Sequence, residues 1–118
     1  MTITTHGFPD AVTIAAQYLN AHGLTVIDRC WQDGHAESGI VAAGQHVLVV
    51  CHVTGRSAAA AAPGTEAITP VMLRRLRHHG EAWLTAHDTG TSHLRIDQIT
   101  VTYDGPGGYT LEHIKAVG

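Results

Sequence analysis

Glu37, His52, Thr54 and Arg56 offer the most reactive combination of residue types and spacing in this sequence. They lie in the stretch Ala36 to Arg56, AESGIVAAGQHVLVVCHVTGR, which reads as two strands, ESGIVA and HVLVVCHVTGR. A short turn at Ala43-Gly44-Gln45 joins them. Side chains two apart on a strand share a face, so Glu37 goes with Gly39 and His52 goes with Thr54. A hairpin register that brings those pairs together sets Glu37 beside His52. Imidazole and carboxylate are zinc ligands, and His35 extends them to a candidate set of His35, Glu37 and His52. The plainer alternative is a histidine hydrogen-bonded to a carboxylate, with no metal. Arg56, just after the strand, is the best single candidate for a phosphate contact. Cys51 and His52 are adjacent, so they project to opposite faces and cannot form a nucleophile–base dyad.

These residues need a sheet to hold them. The run Val47-Leu48-Val49-Val50-Cys51 is almost continuously apolar, which suits a central strand covered on both faces. Before it, Pro9 and Asp10 open a helical pattern to about His22, with Val12, Ala15, Ala16 and Leu19 as its apolar stripe and Gly23 as its stop. Leu24 to Trp31 alternates as a strand, with Leu24, Val26 and Cys30 inward and Thr25 and Asp28-Arg29 outward. A turn follows at Asp33-Gly34. Ser57 to Gly64, SAAAAAPG, reads as a loop. Thr69-Pro70 then supplies an N-cap and a proline at the first helical position. On that helix Met72, Leu73, Leu76, Gly80, Trp83 and Leu84 fall on one side, with Arg74, His78 and Glu81 opposite. Thr89 to Ser92 is a loop. Leu94 to Tyr103 is a long strand whose apolar alternation changes phase near Asp97-Gln98, the signature of a bulge. Gly105 to Gly108 turns the chain into a short final strand within YTLEHIKAV. The expected fold class is α/β, a mixed central sheet flanked by helices in the order α-β-β-β-α-β.

At 118 residues the chain is expected to form one domain, 1–118. No run approaches the ~18 apolar residues of a membrane span, and the start, MTITTHGFPD, has neither the basic nor the apolar part of a signal peptide. A cytoplasmic protein with no membrane association is expected. Cys30 and Cys51 are the only cysteines, both in apolar strand-like segments, and read as buried thiols. A formal charge of −3 with histidines neutral gives no global support for nucleic-acid binding. Lys115 is the only lysine beside six arginines, and the 10 histidines are scattered. Arg74, Arg75 and Arg77, with His78 and His79, make the one basic cluster. It reads either as a phosphate-contacting surface or as a solvated helix face. Trp31 and Trp83 read as core or dimer-packing residues rather than base-stacking platforms, since they lack the basic neighbours such platforms need.

Several segments, taken together, resemble the YraN family of small bacterial proteins, whose fold is restriction-endonuclease-like and related to Holliday-junction resolvases. The matching residues are Ala15-x-x-Tyr18-Leu19 with Gly23, Asp28-Arg29-Cys30-Trp31 at the family's Arg-Asn-Trp pattern, and Glu37 at the glutamate of its Gly-Glu-hydrophobic-Asp motif. Further along are Ala67-Ile68-Thr69 with Arg74-Arg75-Leu76, Arg95-Ile96-Asp97 with Ile99, and the C-terminal His113-Ile114. The resemblance implies a metal-dependent nuclease site, in which carboxylates hold Mg²⁺ and a lysine assists charge development.

Yet the charged positions of that site are mostly replaced. The family's helix glutamate falls at Val12, its aspartate at Gly39, its Glu-x-Lys at His52-Val53-Thr54 and its second-helix lysine at Met72. Glu37 and Asp97 survive, the latter expected to pair with Arg95 or cap a bulge. The resulting expectation is a catalytically degenerate, cofactor-free protein that binds DNA, RNA or a protein partner, as a monomer or a homodimer. The alternative is an endonuclease with a rewired Zn²⁺ or Mg²⁺ site built on Glu37, His52 and Asp97.

Overall fold

The computed structural model describes residues 10–32, 37–57, 68–87, 93–105 and 108–117, with 30–32 and 37–38 placed by backbone and strand pairing. The turn at Asp33-Gly34, His35, most of the alanine-rich link and the loop from Thr89 to Ser92 lie outside the described residues.

Helix α1 (Ala11–Ala21) begins where Asp10 accepts a hydrogen bond from the Thr13 amide at 2.8 Å, satisfying one of the unpaired amides of a helix start. It ends at Gly23, whose φ of +88° suits a residue without a Cβ. Strands β1 (Thr25–Gln32), β2 (Glu37–Gly44) and β3 (Val47–Ser57) form an antiparallel meander. The β2–β3 connection is tighter than the expected Ala43-Gly44-Gln45 turn. Gly44 pairs with Val47, so Gln45 and His46 alone make the turn, with His46 at a φ of 63°. Helix α2 (Pro70–Ala86) starts at Thr69, whose hydroxyl accepts from the Met72 amide at 3.1 Å. It carries the chain across to β4 (Leu94–Tyr103), which lies parallel to β3, and β5 (Tyr109–Ile114) pairs antiparallel with β4. The five-stranded sheet has the order β1-β2-β3-β4-β5.

The helices take opposite faces. Ile14, Ala15, Ala16 and Leu19 of α1 pack on Ile40, Ala42, Val49, Cys51, Val53, Ile99 and Val101. Leu76 of α2, with Met72, Leu73, Trp83 and Leu84 beside it, packs on Val41, Leu48, Val50, Leu94 and Ile96. β3 therefore sends alternate residues into two cores, which is why its sequence is apolar without alternation. Gly80 brings α2 close. A Cβ there would stand 2.9 Å from Val50 Cγ2 and 2.5 Å from Leu94 Cδ1.

The phase change in β4 is not a bulge. β3 and β4 pair without a register shift from Leu48↔Leu94 to Ser57↔Tyr103. Leu94 and Ile96 belong to the α2 side, whereas Ile99, Val101 and Tyr103 belong to the α1 side. The apolar pattern changes phase because each helix covers a different end of the strand. The irregular pairing lies instead in β1, between Val26 and Asp28 and between Asp28 and Trp31.

Candidate functional site

Polar residues gather on both faces of the central strands. On the α2 side, the row Leu48, Val50 continues as His52, Thr54 and Arg56. Across the β2 pairing Gly39 stands opposite His52 and Glu37 opposite Thr54. Across the β4 pairing Gln98 stands opposite His52, Thr100 opposite Thr54 and Thr102 opposite Arg56. The register thus brings Glu37, Gly39, His52 and Thr54 together, with Glu37 and His52 as diagonal rather than direct neighbours. His52, Gln98 and Thr100 are buried, and the Arg56 Nε–H donates to Thr102 Oγ1 at 3.4 Å. The patch is polar and hydroxyl-rich, with a guanidinium at its rim.

Asp97 is not part of it. It pairs with Cys51, projects with Ile99 to the α1 side, and is separated from His52 by the thickness of the sheet. The expected grouping of Glu37, His52 and Asp97 in one site therefore fails, because Asp97 and Gln98 alternate and it is Gln98 that faces the patch. Asp97 sits in a closed polar network instead. Arg95 donates to it twice, Nε to Oδ1 and Nη2 to Oδ2, each at 2.9 Å. The Ala116 amide donates to Oδ1 at 3.1 Å, and His113 Nε2 lies 2.7 Å from Oδ2. Tyr18 of α1 closes the chain, its hydroxyl 2.9 Å from His113 Nδ1. Burial pushes the Asp97 carboxyl up, but the hydrogen bonds from Arg95, Ala116 and His113 together with the Arg95 charge outweigh it and hold the group below the ordinary carboxylate range. The bond to Asp97 correspondingly raises the Arg95 guanidinium further, against the opposing effect of burial.

Of the other expected site residues, Arg74, Arg75 and Arg77 are exposed on α2, and His35 lies outside the described residues. Trp83 packs at the edge of the α2-side core, donates through its indole N–H to Asp28 Oδ2 at 3.3 Å and stacks on His87 at 3.8 Å. Cys51 and His52 face opposite sides, as the alternation requires. The Tyr18–His113–Asp97 chain went unassigned in the sequence. Its signals there are the Arg95-x-Asp97 spacing, which puts both charges on one face, and the presence of Tyr18, Asp97 and His113 in segments that resemble the family, neither of which links the three residues to one another.

A mixed five-stranded sheet with a helix on each face and a polar row at the end of its central strands defines an α/β protein compatible with a restriction-endonuclease-like core. Sequence comparison supplies the family: the profile of the uncharacterised protein family UPF0102 matches residues 13–101, and the chain belongs to that family. A UPF0102 protein of Beutenbergia cavernae is 35% identical over 105 residues, covering 89% of each chain. One of Kineococcus radiotolerans is 36% identical over 105 residues, covering 88% of this chain and 86% of its own. One of Streptomyces coelicolor is 36% identical over 107 residues, covering 89% and 82%.

The Mg²⁺ centre that the nuclease resemblance implies does not fit the residues present. Mg²⁺ takes near-octahedral oxygen ligands, usually including one or two carboxylates. On this face of β3 and β4 the row offers a histidine, an amide and hydroxyls and no carboxylate among the described residues, and across β2 Gly39 stands beside His52, with Glu37 at the register position of Thr54.

Proposed function

We propose that this chain is a catalytically degenerate nuclease-fold protein that acts by binding nucleic acid through the polar row beyond α2. The supporting observation is the register itself. Gly39, His52 and Thr54 stand side by side where the resemblance expects an aspartate and a Glu-x-Lys pair. The half-buried end of the row, Thr54 and Arg56, offers hydrogen-bond donors for phosphate oxygens, and the row has neither the carboxylate set for a metal nor a lysine. Arg56 supplies the charge, oriented by its bond to Thr102.

Binding that depends on phosphate contacts weakens linearly with salt on a logarithmic scale. A salt titration with single-stranded and branched DNA and with RNA tests the reading. Arg56→Ala is expected to weaken binding about tenfold, irrespective of base sequence, and to reduce the salt slope by about one. An affinity unchanged by Arg56→Ala, or no salt-sensitive affinity at low ionic strength, would shift the function to a protein partner.

A further inference from the structure

We propose that Cys51, Asp97 and His113 form a binding site for a transition-metal cation of the zinc type, on the face of the sheet opposite the polar row. The site stands independently of nucleic-acid binding. One ligand atom from each residue, the thiol sulfur, a carboxylate oxygen and an imidazole nitrogen, lies within 4.8 Å of the other two. The three come from β3, β4 and β5, adjacent strands whose register sets Asp97 opposite Cys51 and His113 opposite Ile99. All three project to the α1 side. Cys51 and Asp97 are fully buried, and the His113 side chain is 6% exposed.

The surrounding contacts match what a metal-binding histidine and carboxylate need. A ligating imidazole usually engages its second nitrogen in a hydrogen bond that fixes ring and tautomer. Tyr18 provides this at His113 Nδ1, leaving Nε2 aimed at the Asp97 carboxylate. Arg95 and the Ala116 amide hold that carboxylate from outside. A cation entering between Nε2 and Oδ2 replaces the Nε2–H bond to Asp97; the imidazole then carries its proton on Nδ1 and donates it to the Tyr18 oxygen, so that contact is kept with its direction reversed. For the Nε2–Oδ2 pair the adjustment is small; the Cys51 sulfur, within 4.8 Å, has further to close. With Zn–N and Zn–O distances near 2.0 Å, tetrahedral ligands stand about 3.3 Å apart, against the present 2.7 Å. Cys51 would lose its proton on binding. A thiolate–imidazole–carboxylate set selects Zn²⁺, or Co²⁺ in its place, over Mg²⁺ or Ca²⁺. The sheet positions three ligands.

Titration of the full chain with Co²⁺, followed by Zn²⁺ displacement, tests the site. Bound thiolate gives a sulfur-to-cobalt charge-transfer absorption that surface histidines cannot produce. One equivalent with that band is expected, lost in Cys51→Ser and retained in Cys30→Ser. Tyr18→Phe, which keeps all three ligands, is expected to weaken Zn²⁺ binding by about tenfold. A wild-type chain without the band overturns the site, whether or not Cys51→Ser folds. So does a band that follows Cys30, or Zn²⁺ affinity unmoved by Tyr18→Phe.

Discussion

Asp97 shows how far one side chain's role depends on which face it takes. Its carboxylate accepts from Arg95, His113 and the Ala116 amide, tying β4 to β5 and, through Tyr18, to α1. Removing it leaves Arg95 and His113 facing a void. Asp97→Ala is therefore expected to destabilise the fold by about 3 kcal/mol, measured by urea unfolding. The pH dependence has a definite sign. The folded carboxyl ionises below its unfolded value of about 3.9, so the unfolded chain takes up the proton first as pH falls. Stability from this group is fully present above that value and is lost as pH drops through the folded pKa. Asp97→Asn should flatten the acid limb of a stability–pH profile. In the sequence only the pairing with Arg95 is legible, because the two are neighbours on one strand face. The partners on β5 and α1 depend on contacts between residues far apart in the chain.

At the level of elements, each helix start is written locally. Asp10 and Thr69 cap α1 and α2, and proline stands at the first position of α2. The strands are legible for the same reason, since turn residues and apolar runs bound them. The long strand β4 misleads because alternation is read against one buried face, whereas β4 has two, covered at different ends by α1 and α2. The bulges of β1 leave no comparable mark in Leu24 to Trp31. Close approach is also hidden in the sequence until a partner is known. Gly80 falls on the apolar side of α2, but only the helix–sheet distance shows why it carries no side chain. Gly80→Val would force α2 away from Val50 and Leu94, with an expected loss of about 2 kcal/mol in chemical denaturation. An equivalent substitution at exposed Arg77 should cost well under half of that.

Across the whole molecule, a sheet with a helix on each face offers two separate polar regions, and they differ in kind. The α1 side holds a buried, fully connected network. The α2 side ends in a polar row whose residues, on the proposed reading, stand where a nuclease would hold its carboxylates and lysine. Family membership and fold class follow from residues that build the scaffold: glycines, apolar positions and a few aromatic or charged anchors. Activity depends on a handful of side chains, so scaffold and chemistry can part company within one sequence. If the row retains the geometry of a nuclease centre, restoring its chemistry should restore its action. The combined variant Gly39→Asp, His52→Glu, Thr54→Lys is expected to gain Mg²⁺-dependent DNA cleavage above the wild-type level, read as product on a denaturing gel.

The wild-type chain itself supplies the most direct measurement. End-labelled branched and single-stranded DNA is incubated with it in Mg²⁺, Mn²⁺ or Zn²⁺, and the products are separated under denaturing conditions beside a Glu37→Ala/His52→Ala control. The expected result is intact strands with every metal, while a salt-sensitive complex forms with the same DNA under native conditions. Metal-dependent cleavage by the wild type that disappears in the double variant would contradict the binding-only reading and make the polar row a working active site.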